Sequence, residues 1–223
     1  VKDQKYIAFD LDGVLCDCDF LHFQALNDAL QGYGPHATIT PEEHHTVFKG
    51  LPTRVKLRML LDQGRIPNRG RVLGDTVQYL ASIKQHYTVE AIKELRPEKG
   101  KCDLLSELKV TGWRIAVCSN AVRESVRMML LFSGLLDFTE FYLSNEDAPP
   151  KPDPGMYLEA AMRFQISPCD LVVVEDSEPG KASALAARCR LVSVAGPEEV
   201  TLALLPRIHR AVGEHSHVEI VSW

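Results

Sequence analysis

Short apolar runs punctuate the chain at residues 6–9, 114–118, 140–143, 171–174 and 191–194, with a weaker one at 218–221. Most are nearly continuous in apolar character rather than alternating, as expected for parallel strands buried on both faces. Between them, apolar positions recur with helical spacing at 98–109, 123–132, 156–164, 182–187 and 198–209. Strand–helix alternation predicts an α/β fold, a doubly wound parallel sheet of Rossmann-like type. Residues 19–96 break the rhythm and read as all-helical, with Leu21, Ala25, Leu26 and Ala29 on one stripe. Thr40-Pro41-Glu42-Glu43 has the form of a capping box with Pro at the first helical position. A further helix is expected over 71–87, with Thr88 capping the next. Two domains are expected: an α/β core of residues 1–18 and 97–223, and a helical insertion of residues 19–96. There is no internal repeat.

Polar residues gather where the predicted strands end. Asp10-x-Asp12 follows the first run and Ser119-Asn120 the second; Lys151 lies beyond the third, and Glu175-Asp176 follows the fourth. Open α/β sheets bind ligands outside the carboxyl ends of their strands, so these residues are expected to converge. Asp10, Asp12, Glu175 and Asp176 would repel one another there unless a hard cation joined them, and Mg²⁺ is the ion that suits a few carboxylates plus a substrate phosphate. Lys151 adds a fixed positive charge suited to phosphoryl groups. Asp10, abutting the strand, is the better-fixed nucleophile, and Asp12 is placed to protonate a leaving oxygen and then activate water. Ser119, with the backbone amides around Asn120, is suited to hold phosphoryl oxygens. Alone, Asp10-x-Asp12-Gly13 equally fits a strand-end turn, Ser119-Asn120 a helix cap, and Lys151 a solvated loop lysine.

Composition narrows the function. The chain has 223 residues, 45% hydrophobic and 25% charged, with net charge −5. A sizeable core is expected, and a nucleic-acid or anionic-membrane partner is not, since either needs a basic face. No apolar run reaches membrane-spanning length, and Val1-Lys2-Asp3-Gln4-Lys5 is charged rather than signal-like. A cytoplasmic monomer or weak homo-oligomer is expected. The six cysteines form no CxxC pair and read as reduced thiols; Cys16-x-Cys18 has no second Cys/His pair near it in sequence.

The ordered set "DLDGVLCD", "CSN", "KPDP" and "VVVEDSEPG" resembles the haloacid dehalogenase (HAD) superfamily, over about residues 5–194. The resemblance implies that the helical insertion is a type 1 cap. It also implies that Asp10, the Asp12 carbonyl and Asp176 ligate Mg²⁺, with Glu175 supporting through water. The second aspartate, Asp12, implies phosphate ester chemistry. The chain is most similar to the β-phosphoglucomutase and phosphoglycolate phosphatase-like group. "FKGLPTR" resembles the cap's specificity loop there, which makes Arg54 and Lys49 candidates for substrate contact, as Lys84 and His22 are elsewhere in the cap.

A Mg²⁺-dependent phosphatase for a small phosphorylated metabolite is therefore expected, working through an aspartyl-phosphate. A sugar phosphomutase would use the same core residues. A receiver-like module phosphorylated on aspartate also sets acids, a hydroxyl and a lysine around Mg²⁺, but it is shorter and has no use for Asp12. A retired, non-catalytic binding protein would have lost part of the motif set, and nothing in the quoted motifs is missing. Adjacent His44 and His45 cannot share a helix face and are expected on the surface. Two departures from the family pattern stand out: Lys181, where Val or Ile is usual, and Arg188, where a helix-ending glycine is usual.

Overall fold

The apolar runs become strands because each lies between two layers of helices. A computed structural model describes residues 4–48, 51–67 and 73–213. It contains β1 (Lys5–Phe9), β2 (Trp113–Cys118), β3 (Phe141–Leu143), β4 (Leu171–Glu175) and β5 (Arg190–Ser193), all paired in parallel in the order β3-β2-β1-β4-β5. The central strands are buried deepest: Ile7, Ala8 and Phe9 of β1 and the whole of β4 are inaccessible to solvent. The order reverses between β1 and β4, which opens a crevice at their carboxyl ends. The expected strand at 218–221 lies outside the described residues.

The helices are α1 (Asp19–Leu30), α2 (Pro41–Glu43), α3 (Thr53–Asp62), α4 (Leu73–Ile92), α5 (Lys99–Val110), α6 (Arg123–Phe132), α7 (Gly155–Phe164), α8 (Glu178–Ala186) and α9 (Leu205–Gly213). The chain divides into two compact units. One runs to Asp17 and resumes at Arg96; the other spans Cys18–Leu95. In the first, Met156, Tyr157, Ala160 and Phe164 of α7 pack on Ala8, Ala116, Leu171 and Val173 of the sheet. In the second, Leu26 and Leu30 of α1 pack with Leu57 and Leu60 of α3 and Leu80 of α4.

Four expectations need correction. The helix expected over 71–87 runs unbroken to Ile92, and Thr88 does not cap anything: its buried hydroxyl donates to the Lys84 carbonyl at 2.8 Å, one turn back. The helix expected at 182–187 starts at Glu178, because the Ser177 side chain accepts from the Gly180 amide at 3.2 Å and Pro179 fits the first turn. The helix expected at 198–209 is interrupted. Extended backbone at Thr201 separates two single 3₁₀ turns, and α9 begins only at Leu205. Finally, His44 is buried, not superficial. The Thr40–Glu43 capping box forms as expected, but the helix then widens into a π turn over His44–Phe48. There His44 Nε2 lies 2.8 Å from Asp19 Oδ1, and the more exposed His45 places Nδ1 3.5 Å from Asp19 Oδ2.

Arg188 has φ +61°, the left-handed conformation that ends α8. Its Cβ makes this costly, by about 1 kcal/mol relative to glycine. Arg188→Gly is expected to raise unfolding free energy by about that amount, read as an increased urea midpoint at unchanged slope. A lowered midpoint would show that the arginine makes a compensating contact.

Candidate active site

Three neighbouring strands deliver the polar residues. Asp10 follows β1 directly, and its amide donates to the Val174 carbonyl of β4 at 3.0 Å. Glu175 is the last residue of β4 and Asp176 the next. Ser119 follows β2, with its amide on the Leu143 carbonyl of β3 at 3.0 Å. Parallel register alone thus sets these side chains side by side at the β1/β4 reversal.

Lys151 reaches them from the loop after β3. Its ammonium donates to Asp10 Oδ1 at 2.5 Å, Glu175 Oε1 at 2.6 Å and the Cys118 carbonyl at 2.8 Å. All three ammonium protons are taken, so the group has one orientation. Glu175 is fully enclosed, and Lys151 and Asp10 are only 6% and 8% exposed. Burial would pull the lysine pKa down, but Asp10 and Glu175 more than reverse this and hold it charged. Burial pushes the Asp10 carboxyl well above its ordinary range; Lys151 opposes the shift, and Glu175 and Asp176 add to it. The neighbouring Cys118 thiol is pushed up to about 12 by burial and is inert at neutral pH.

The loops are fastened to one another. The Asn120 side chain brackets Lys151, donating to its carbonyl at 3.1 Å and accepting from its amide at 2.8 Å. Asn145 donates to the Asn120 carbonyl at 2.9 Å. Ser119 Oγ accepts from the Ala121 amide at 3.1 Å, in the turn that leads into α6. Asp147 ties the Lys151 loop to both flanking helices: Arg123 of α6 lies at 2.7 Å, Arg163 of α7 at 3.1 Å, and Ser144 donates from both amide and hydroxyl. Burial opposes ionisation of Asp147, but these donors win and hold its pKa at about 2.

The donor chemistry fits a hard cation. Oxygens of Asp10, Glu175 and Asp176 lie within 4.8 Å of one another. Three carboxylates facing one ammonium leave an excess of negative charge, which a divalent ion would neutralise. Gly13, at φ +93°, lets the loop after β1 come against Asp176; a Cβ there would overlap the Asp176 carboxylate. Asp12 is half-buried in the same turn, which is closed by the Gly13 amide on the Cys16 carbonyl at 2.7 Å. Cys16 and Cys18 are buried thiols.

The remaining candidates belong to the helical unit. Lys84 is buried on α4, with Nζ 3.1 Å from His22 Nδ1 on α1, so two separately chosen candidates prove to be partners. Arg54 is exposed in the first turn of α3. Lys49 lies outside the described residues. The sequence reading missed Tyr157, whose hydroxyl donates to Glu175 Oε1 at 2.5 Å, and Ser177, which donates to Glu175 Oε2 at 3.2 Å. It also missed Gly180, where a Cβ would overlap the Glu175 carboxylate. Tyr157 sits in an apolar helical stripe and Ser177 reads as a helix cap. Only the glycine directly after "VVVEDSEP" hinted at a close approach.

The sequence profile of haloacid dehalogenase-like hydrolases matches residues 7–194. A haloacid dehalogenase-like hydrolase domain-containing protein of Arabidopsis thaliana is 29% identical over 82% of this chain, and the match spans 66% of that protein, just under two thirds. A phosphoglycolate phosphatase of Thiobacillus denitrificans is 31% identical over 85% of this chain and 82% of its own length. In fold, the chain is similar to a crystal structure of β-phosphoglucomutase from Clostridium difficile, with TM-score 0.77, 20% identity and coverage of 95% of this chain and 98% of that one.

Gly180→Ala supplies a test of the packing around Glu175. On an open helix this change stabilises. Here it is expected to cost about 1–3 kcal/mol, because the new methyl displaces a carboxylate held by three donors. Urea unfolding measures it, and a gain in stability would contradict the close approach.

Proposed function

The chain belongs to the haloacid dehalogenase-like hydrolase family, and we propose that it is a Mg²⁺-dependent phosphatase acting on a small phosphorylated metabolite. One observation carries the reading: a buried lysine spans Asp10 and Glu175, with Asp176 beside them, at the carboxyl ends of adjacent strands. The relative named phosphoglycolate phosphatase supports the substrate class.

Asp10 acts as the nucleophile. Its free carboxylate oxygen forms a bond to phosphorus as the ester oxygen leaves, and the Asp12 carboxyl gives that oxygen its proton. Asp12, now a carboxylate, takes a proton from water; the water oxygen bonds to phosphorus, the acyl-phosphate bond breaks, and inorganic phosphate and Asp10 are restored. Lys151 keeps Asp10 aimed and supplies positive charge, while Ser119 and the amides beside it receive phosphoryl oxygens. The side chains of Asp10 and Asp176 and the Asp12 carbonyl would hold Mg²⁺, with Glu175 behind them. When bound, the ion neutralises charge on the transferring phosphoryl group. The helical unit acts as the cap, and Arg54, Lys84, His22 and Lys49 are its candidates for reading the rest of the substrate.

Wild-type protein with Mg²⁺ is expected to release inorganic phosphate from p-nitrophenyl phosphate and from members of a sugar-phosphate and phosphoglycolate panel. Asp10→Asn should abolish turnover, and Asp12→Ala should lower it by about three orders of magnitude or more. Isomerised sugar phosphate without free phosphate would assign a mutase instead, and turnover by Asp10→Asn would reject the nucleophile.

The raised Asp10 pKa gives a second expectation. A carboxyl whose pKa is raised by folding contributes stability that is complete below its unfolded value of 3.8 and is lost as pH rises through the folded value. A cation bound to the carboxylate offsets that loss. Millimolar MgCl₂ is therefore expected to raise the melting temperature more at neutral pH than at about pH 5. Equal shifts at both would show that Asp10 does not face the ion.

A further inference from the structure

We infer that Tyr157 is a positioning residue of this centre: its phenol shares Glu175 Oε1 with the Lys151 ammonium, and so sets how tightly that lysine holds Asp10. The inference rests on the phosphatase reading for its effect on turnover, but its structural part stands on the geometry alone.

Tyr157 is fully buried among the apolar residues of α7 and the sheet, where a phenol must find an acceptor. It finds Glu175 Oε1 at 2.5 Å, the same oxygen that takes Lys151 at 2.6 Å. A carboxylate oxygen has two in-plane lone pairs, so this one is saturated. The other, Oε2, receives the Ser177 hydroxyl at 3.2 Å. Gly180 backs the carboxylate closely enough that it cannot swing away. Tyr157 also touches the other end of the pair, because the lysine ammonium lies 5.0 Å from the centre of its ring.

The consequence is a division of charge. Lys151 is drawn towards two carboxylates at once, Asp10 and Glu175. The phenol stabilises part of the Glu175 charge and leaves more of the lysine for Asp10. Without it, one lone pair of a fully enclosed carboxylate is bare, Glu175 pulls harder on Lys151, and the lysine's bond to Asp10 weakens. Tyr157 acts through its neighbours and touches no reacting atom.

Tyr157→Phe keeps the ring and removes one hydroxyl. In metal-free protein labelled with ¹⁵N-lysine, the Lys151 ammonium resonance is identified by its absence in Lys151→Arg. In Tyr157→Phe it is expected to shift and to exchange with water several-fold faster. In Mg²⁺-loaded enzyme, kcat for p-nitrophenyl phosphate is expected to fall about tenfold with KM changed by no more than about twofold. A fluorotyrosine at position 157, a stronger donor of nearly the same shape, should move the resonance the opposite way, which guards against a poorly folded Phe variant. The inference is overturned if the resonance keeps its position and exchange rate in both variants, or if wild-type turns over and Tyr157→Phe matches its kcat. If wild-type itself turns over nothing, the phosphatase reading fails, and the lysine signal alone decides the role of Tyr157.

Discussion

Burying Asp10 and Glu175 side by side is tolerable only because one ammonium is buried with them. Each carboxylate without Lys151 would be a buried charge lacking its cationic partner, a defect worth about 3–5 kcal/mol. Lys151 has no freedom to drift, since its three protons go to Asp10, Glu175 and the Cys118 carbonyl. Those acceptors come from the ends of β1, β4 and β2, so the sheet's strand order and the lysine's hydrogen bonds specify each other.

Much of the surrounding architecture serves to deliver Lys151. The lysine lies in a loop with no regular structure, and regular hydrogen bonding cannot place it. Side chains do so instead: Asn120 brackets its backbone, Asn145 ties the loop to the β2 turn, and Asp147 binds arginines from α6 and α7. Glu175 is placed by the opposite means. It is the last residue of a strand, wedged by Gly180 and saturated by buried donors. An irregular loop and a regular strand end thus meet at one site.

The helical unit shows the same economy on a smaller scale. Asp19, in the first turn of α1, receives His44 from the π turn, and Arg65 joins Glu43 to the carbonyls of His36 and Thr38. Lys84 and His22 fasten α4 to α1. Polar side chains here add to the apolar packing of Leu26, Leu30, Leu57, Leu60 and Leu80, so a charged residue in this unit is not for that reason a substrate contact.

What the linear chain determined was periodicity and its punctuation. Unbroken apolar runs specify strands buried on both faces, and polar residues at their ends mark where a parallel sheet must open. That is why Asp10, Ser119, Lys151 and Glu175-Asp176 could be singled out, and why the central strands were legible to within a residue. Tertiary structure decided everything that depends on a partner distant in sequence. Thr88 became mid-helix because α4 is buried there, and His44 went inside because a π turn rotated it towards Asp19. Tyr157 looked like core because it is core, until Glu175 was placed against its hydroxyl. A side chain's type and local spacing are written in sequence; which acceptor meets its last proton is settled only when strands and helices close on one another.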